Sequence, residues 1–239
     1  MTKSLKVMML YPEEMNIYGD FGNLDWLESR IEAHGLNVEE VLHVPGNPLD
    51  ETADIVLGGG GQDSGQNDVK RDLLKNAIKL NKMVDDGVTM LMVCGMYQLF
   101  GHYFETVEGH RLTGIGVFDM FTKAGEKRLI GDIITDWEGY KLIGYENHSG
   151  QTHLNKDQKP FATTISGFGN NSTRKTEGAR SNNAFGTYLH GPLLPKNPKF
   201  TDELIRLATT RKYGGFFPNL ELDDSIATHA RGVILDRFS

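Results

Sequence analysis

The 239-residue sequence contains a single cysteine, Cys94. One cysteine cannot close an internal disulfide or build a cysteine-rich metal cluster, and it suits a reducing compartment. Long apolar runs are also missing. No stretch approaches the roughly 20 residues that a membrane-spanning helix requires. The opening MTKSLKVMMLYPEE has a short apolar segment with no small-residue cleavage site behind it, so it reads as a strand and not a signal peptide. Basic residues are in the minority, 25 against 32 acidic, for a formal net charge of -7. Such a balance opposes binding to nucleic acid or to an anionic membrane. There is no GxxxxGK[ST] phosphate loop, and the first βα turn holds only Gly19 and Gly22 where a dinucleotide site needs GxGxxG. The expectation is a cytoplasmic protein with no metal or cofactor of its own.

What is present describes an ordinary globular chain, 38% hydrophobic and 24% charged. Its length suits one α/β domain over residues 1–239. Leu5–Tyr11, Val38–Val44, Asp54–Leu57 and Val88–Val93 read as strands. Asn23 reads as the cap of a helix that ends at His34-Gly35, and Lys70–Val84 as one helix with an apolar face. Tyr97–Tyr103 looks helical. This alternation predicts a mainly parallel central sheet with helices on both faces. Gly114–Phe118, Arg128–Trp137, Lys141–Tyr145 and Phe161–Ser166 follow as shorter strands. Gly169–Asn183 is a polar loop, Ala184–Leu189 a strand ending at His190, and Asp202–Thr210 and Ser225–Phe238 are helices.

Cys94 ends the most apolar strand and precedes Gly95 and a helix start. A nucleophile on such a turn projects at the carboxyl edge of the sheet, where free N–H groups favour a thiolate and a developing oxyanion. A thiol also needs a base. Of eight histidines, His190 alone ends a strand and meets a Gly-Pro stop; His34, His43, His102, His110 and His229 read as structural or exposed. Gly58-Gly59-Gly60-Gly61 after the third strand lets backbone approach a ligand and offers further N–H groups.

Two segments carry a family resemblance. Val93-Cys94-Gly95-Met96-Tyr97-Gln98 resembles the nucleophile elbow of the cobyric-acid-synthase-like branch of class I glutamine amidotransferases. Ala184 to Pro192 resembles its G-x-Y-x-H-G histidine motif. Asn16–Asn23, Gly144–His148 and Leu193–Asn197 narrow the likeness to glutaminase subunits of lipid II isoglutaminyl synthase, the GatD family. The resemblance implies a flavodoxin-like α/β fold and hydrolysis of glutamine. It also implies a partner, a MurT-like Mur ligase that holds the ATP and lipid II sites and amidates the D-glutamate of lipid II in peptidoglycan synthesis. Carried over by position, Cys94 is the nucleophile and His190 its base. Gly95 with Gly60 or Gly61 forms the oxyanion hole, and Arg128, Gln98, Asn147 and His148 contact substrate. Two positions depart from the pattern. Pro192 stands where many class I enzymes carry an acid, so Asp20, in a loop at the same sheet edge, is the expected orienting group for His190. Met96 replaces a usual glycine, and either begins the helix harmlessly or narrows the pocket.

Overall fold

The computed structural model describes residues 3–61, 63–173, 175–215 and 220–237. The first sheet is built from β1 (Ser4–Leu10), β2 (Asn37–His43), β3 (Ile55–Gly58), β4 (Thr89–Val93), β11 (Ala179–Ser181) and β12 (Ala184–Thr187). Their spatial order is β11-β12-β4-β3-β1-β2. Every pairing is parallel except β11 with β12. Strands β3, β4 and β12 are buried at every residue, as continuous apolar runs covered on both faces must be. Helix α1 (Phe21–Ala33) packs on β1 and β2, and α6 (Pro198–Tyr213) on β4. Helices α2 (Asp63–Lys75), α3 (Ala77–Asp85), α4 (Gly95–Leu99), α5 (Leu193–Lys196) and α7 (Ser225–Asp236) complete the helical layers. Among the described residues no helix is long and apolar enough to cross a membrane.

A second sheet contains β5 (Tyr103–Glu105), β6 (Arg111–Thr113), β7 (Met120–Trp137), β8 (Tyr140–Leu154), β9 (Ala162–Ser166) and β10 (Thr176–Glu177), in the order β10-β9-β7-β5-β6 with β8 on β7. The β7–β8 hairpin is its largest unit. Its register shifts between Ala124 and Leu129, where residues 125–128 oppose a single residue of β8. That bulge re-aims Arg128, as bulges do beside functional sites. The hairpin also reaches the segment that follows β12: Tyr145 and His190 form an antiparallel bridge.

Several sequence expectations are corrected. Asn23 does not cap α1. It lies inside the helix, and its Oδ1 accepts the N–H of Leu194 at 2.9 Å. The helix expected over Lys70–Val84 begins earlier and breaks at Asn76, whose amide donates to the Asp72 carbonyl and carboxylate, both at 3.1 Å. This is the local side-chain competition that ends helices. Tyr97–Tyr103 divides between the end of α4 and the start of β5. Gly114–Phe118 is not a strand. The N–H groups of Gly114, Ile115, Gly116 and Phe118 go to carbonyls of residues 99–102 and close a turn around the end of α4. The polar loop Gly169–Asn183 contains β10 and β11. The expected helix end at Phe238 lies outside the described residues.

Candidate active site

Cys94 stands between β4 and α4 with φ 49 and ψ -101, a conformation that non-glycine residues rarely adopt. Strain of this kind persists only when its surroundings over-determine it. Here the Cys94 N–H donates to the Thr187 carbonyl at 2.8 Å, and the Cys94 carbonyl accepts the N–H of Gln98 at 3.0 Å. Thr187 lies three positions before His190. One residue of β12 therefore locates both the thiol turn and the strand end that carries the imidazole.

His190 is 1% exposed. Its Nδ1 faces Asp20 Oδ1 at 3.7 Å, and its ring leans on Tyr18 with centroids 4.5 Å apart. Burial alone lowers its pKa. The adjacent Cys94 and the Asp20 carboxylate outweigh burial and push it up to about 10. The pairing therefore favours imidazolium beside the sulfur. Asp20 has a second duty: its Oδ2 accepts the Gly60 N–H at 2.6 Å. The carboxylate thus links the glycine run to the histidine. Gly60 must be glycine, since a Cβ there would sit 2.9 Å from His190 Cε1.

This bond distinguishes the two glycines expected at an oxyanion hole. The Gly60 N–H is committed to Asp20, whereas the N–H groups of Gly61 and Gly95 have no hydrogen-bond partner among the described residues. They are close together: a Cβ built on Gly95 would lie 2.9 Å from the Gly61 nitrogen. Helix α4 has only five residues, so its contribution is a free N–H and not a macrodipole.

A cavity of about 560 Å³ opens onto the thiol. Tyr18, Gly61, Gln66, Cys94, Gln98, Phe104, Arg128, Ile130, Asn147, His148 and Ser149 line it. Arg128 Nε donates to Asn147 Oδ1 at 3.0 Å, and Nη2 donates to the Tyr18 hydroxyl and the Asn147 carbonyl, each at 3.2 Å. This holds an exposed guanidinium over the cavity, where it can meet a carboxylate. His148 stacks flat on Tyr188 with centroids 3.6 Å apart, and its Nδ1 donates to the Gly150 carbonyl at 2.7 Å. Burial lowers its pKa, which favours the neutral ring beside the cavity. Met96 is fully buried and absent from the lining; its side chain packs under Gly58. It fills the core and leaves the pocket its width. Sequence reasoning missed Tyr18, Phe104, Ile130 and Ser149 of this lining, and also Gln66. It is an isolated glutamine in a polar helix start, with no motif to mark it.

Behind the site, Glu177 is fully buried and accepts the Tyr188 N–H at 2.7 Å and the Thr187 hydroxyl at 3.1 Å. Burial pushes its pKa up from 4.5 to about 8 in spite of these bonds. The folded chain thus holds a proton that the unfolded chain has released between those two values. Stability from this group falls as pH rises from 4.5 and reaches its floor above about 8. Glu177→Gln is expected to raise the melting temperature at pH 8.5 and to change it little at pH 4.5. Melting curves at the two pH values check this, and an equal shift at both would contradict it.

A thiol on a strained strand-to-helix turn, with an imidazole and two free N–H groups beside it, is equipped for nucleophilic attack on a carbonyl. Residues 6–198 match the CobB/CobQ-like glutamine amidotransferase domain, and the chain belongs to that family. Within it, the chain is 36% identical over 236 residues to the lipid II isoglutaminyl synthase (glutamine-hydrolyzing) subunit GatD of Staphylococcus aureus (strain N315), covering 98% of this chain and 96% of that one. It is also 36% identical over 214 residues to the subunit of the same name from Streptococcus pneumoniae (strain ATCC BAA-255 / R6), covering 88% of this chain and 82% of that one. A crystal structure of a glutamine amidotransferase superposes with a TM-score of 0.57 at 14% identity, covering 84% of this chain and 98% of that one, a likeness of fold. The fold is the α/β fold of class I glutamine amidotransferases.

Proposed function

We propose that the chain is the glutaminase subunit of a lipid II isoglutaminyl synthase. It hydrolyses glutamine and passes ammonia to a MurT-like Mur ligase, which amidates the D-glutamate of lipid II. One observation carries the chemistry: Cys94 opens onto a cavity whose rim holds Arg128, with His190, Asp20 and two free N–H groups gathered behind the sulfur. End-to-end similarity to GatD carries the choice of synthase.

In this reading the whole chain acts as one amidotransferase unit. Arg128 takes the substrate α-carboxylate, steadied by Asn147 and Tyr18. Gln98, His148 and Asn147 shape the rest of the cavity wall. The Cys94 sulfur attacks the side-chain carbonyl, and the oxyanion is received by the N–H groups of Gly61 and Gly95. His190 gives its proton to the departing ammonia, and then takes one from the water that cleaves the thioester. The ATP and lipid II sites belong to the ligase, and the complex works on the cytoplasmic face of the membrane.

The test is ammonia and glutamate release by the purified chain, alone and with its ligase partner. Release from glutamine that accelerates in the complex is expected. A folded, assembled complex that yields no ammonia from glutamine sinks the proposal. Release that is indifferent to the ligase points to a free-standing hydrolase.

A further inference from the structure

Gln66 is 1% exposed, yet its Oε1 is a buried acceptor with no hydrogen-bond partner among the described residues. Its NH2 is bonded from behind. Gln66 Nε2 donates to Gln98 Oε1 at 2.7 Å, and Gln98 Nε2 donates to the Tyr188 hydroxyl at 3.1 Å. That hydroxyl bonds Thr152 Oγ1 at 2.7 Å, which bonds Thr122 Oγ1 at 2.7 Å. The hydroxyls of this relay can donate or accept, and each of the two amides donates into it through its NH2. This leaves the Gln66 carbonyl oxygen as the end with no partner, on a residue that lines the Cys94 cavity. A buried polar atom without a partner is costly in a fold and calls for a reason.

Its place gives the reason. Gln66 Nε2 lies 3.0 Å from the point a Cβ on Gly95 would occupy, and the Gly61 nitrogen lies 2.9 Å from the same point. The Gln66 amide therefore borders both free N–H groups, at the thiol end of the cavity. Arg128 and Asn147 line the same cavity from the other sheet. A carboxamide whose oxygen points to Gly61 and Gly95 turns its NH2 to a neighbouring acceptor.

We propose that Gln66 is a specificity-determining residue, whose Oε1 accepts an N–H of the substrate's side-chain carboxamide and so selects glutamine against glutamate and γ-esters. This rests on the glutaminase reading above. A glutamate carboxylate would set oxygen against oxygen at this point, and an ester would bring no donor. A site built to bond an N–H discriminates strongly against analogues that lack it.

The experiment compares L-glutamine with L-glutamate γ-methyl ester, which keeps the α-amino and α-carboxylate groups, using the chain in complex with its ligase. Gln66→Met is expected to lower kcat/KM for glutamine about tenfold and to leave the ester within about twofold, the loss of one hydrogen bond. Inhibition by L-glutamate should hold or tighten. Equal losses on both substrates, as from a structural fault or a contact to the α-amino group, overturn the inference. Gln66→Glu is the second variant. When protonated, its carboxyl O–H replaces the donor toward Gln98 and its carbonyl restores the acceptor. Its glutamine-to-ester ratio should rise toward the native value as pH falls, and a ratio that stays low also overturns the inference. Both substrates share the catalytic groups, so titration of those groups cancels in the ratio. A native complex that hydrolyses the ester but not glutamine removes the glutaminase reading itself and this inference with it. Native glutamine turnover with the wrong variant pattern removes only the inference.

Discussion

Cys94→Ala is expected to cut glutamine turnover by at least about 10⁴-fold, the scale seen when a covalent nucleophile is removed. Without sulfur no thioester forms, and the remaining groups can only polarise the carbonyl. The fold should survive, because alanine keeps the same Cβ in a pocket that is closed on the core side. Ammonia release with a melting curve on the same sample checks both halves. The backbone allows an independent reading. Cys94 is held at φ 49 and ψ -101, and such strain costs a non-glycine residue about 1–3 kcal/mol. Cys94→Gly should therefore melt above Cys94→Ala, although glycine ordinarily loses stability through chain entropy. If turnover stays above about one-hundredth of native in Cys94→Ala, the covalent route is wrong. If Cys94→Gly melts lower, the strain is absent.

Asp20→Asn should be nearly as damaging, with a loss of roughly 10²- to 10⁴-fold in kcat, by analogy with orienting aspartates in other triads. Asparagine can still accept the Gly60 N–H through its oxygen, so the glycine run should hold its place. What is lost is the negative charge 3.7 Å from His190 Nδ1. That charge helps raise the His190 pKa, so removing it lowers the value. Imidazolium is then lost at lower pH, and the alkaline limb of the kcat/KM profile should move toward acid. A variant with native rate and an unmoved profile would show that Asp20 serves Gly60 alone.

Much of this arrangement was legible in the chain. Val88–Val93 and Gly186–Leu189 are short apolar runs that each stop at a reactive side chain, and parallel packing brings two such stops to one sheet edge. Asp20 could be placed near that edge because it follows the first strand. The second sheet was harder. The charged stretch Lys123–Lys127 falls outside the strand expected over Arg128–Trp137, yet it lies within one 18-residue strand whose bulge is specified by its partner β8. Register of this sort is long-range and leaves no local mark. The same limit hid Gln66. Its place depends on Gln98, Tyr188 and the close approach to Gly95, not on its sequence neighbours. The helix break at Asn76 depends on a side chain competing with the backbone, which an apolar periodicity does not register.

The bond from Cys94 to Thr187 also bears on the order of events during synthesis. The segment that holds the thiol leaves the ribosome well before β12, and the whole β7–β8 hairpin is made in between. Until β12 docks beside β4, Cys94 has neither the carbonyl that holds its turn nor the histidine proposed to activate it. Contacts so distant in sequence close late in folding. The nascent chain thus carries an unpaired thiol until β12, the last strand of the first sheet in sequence, has been made.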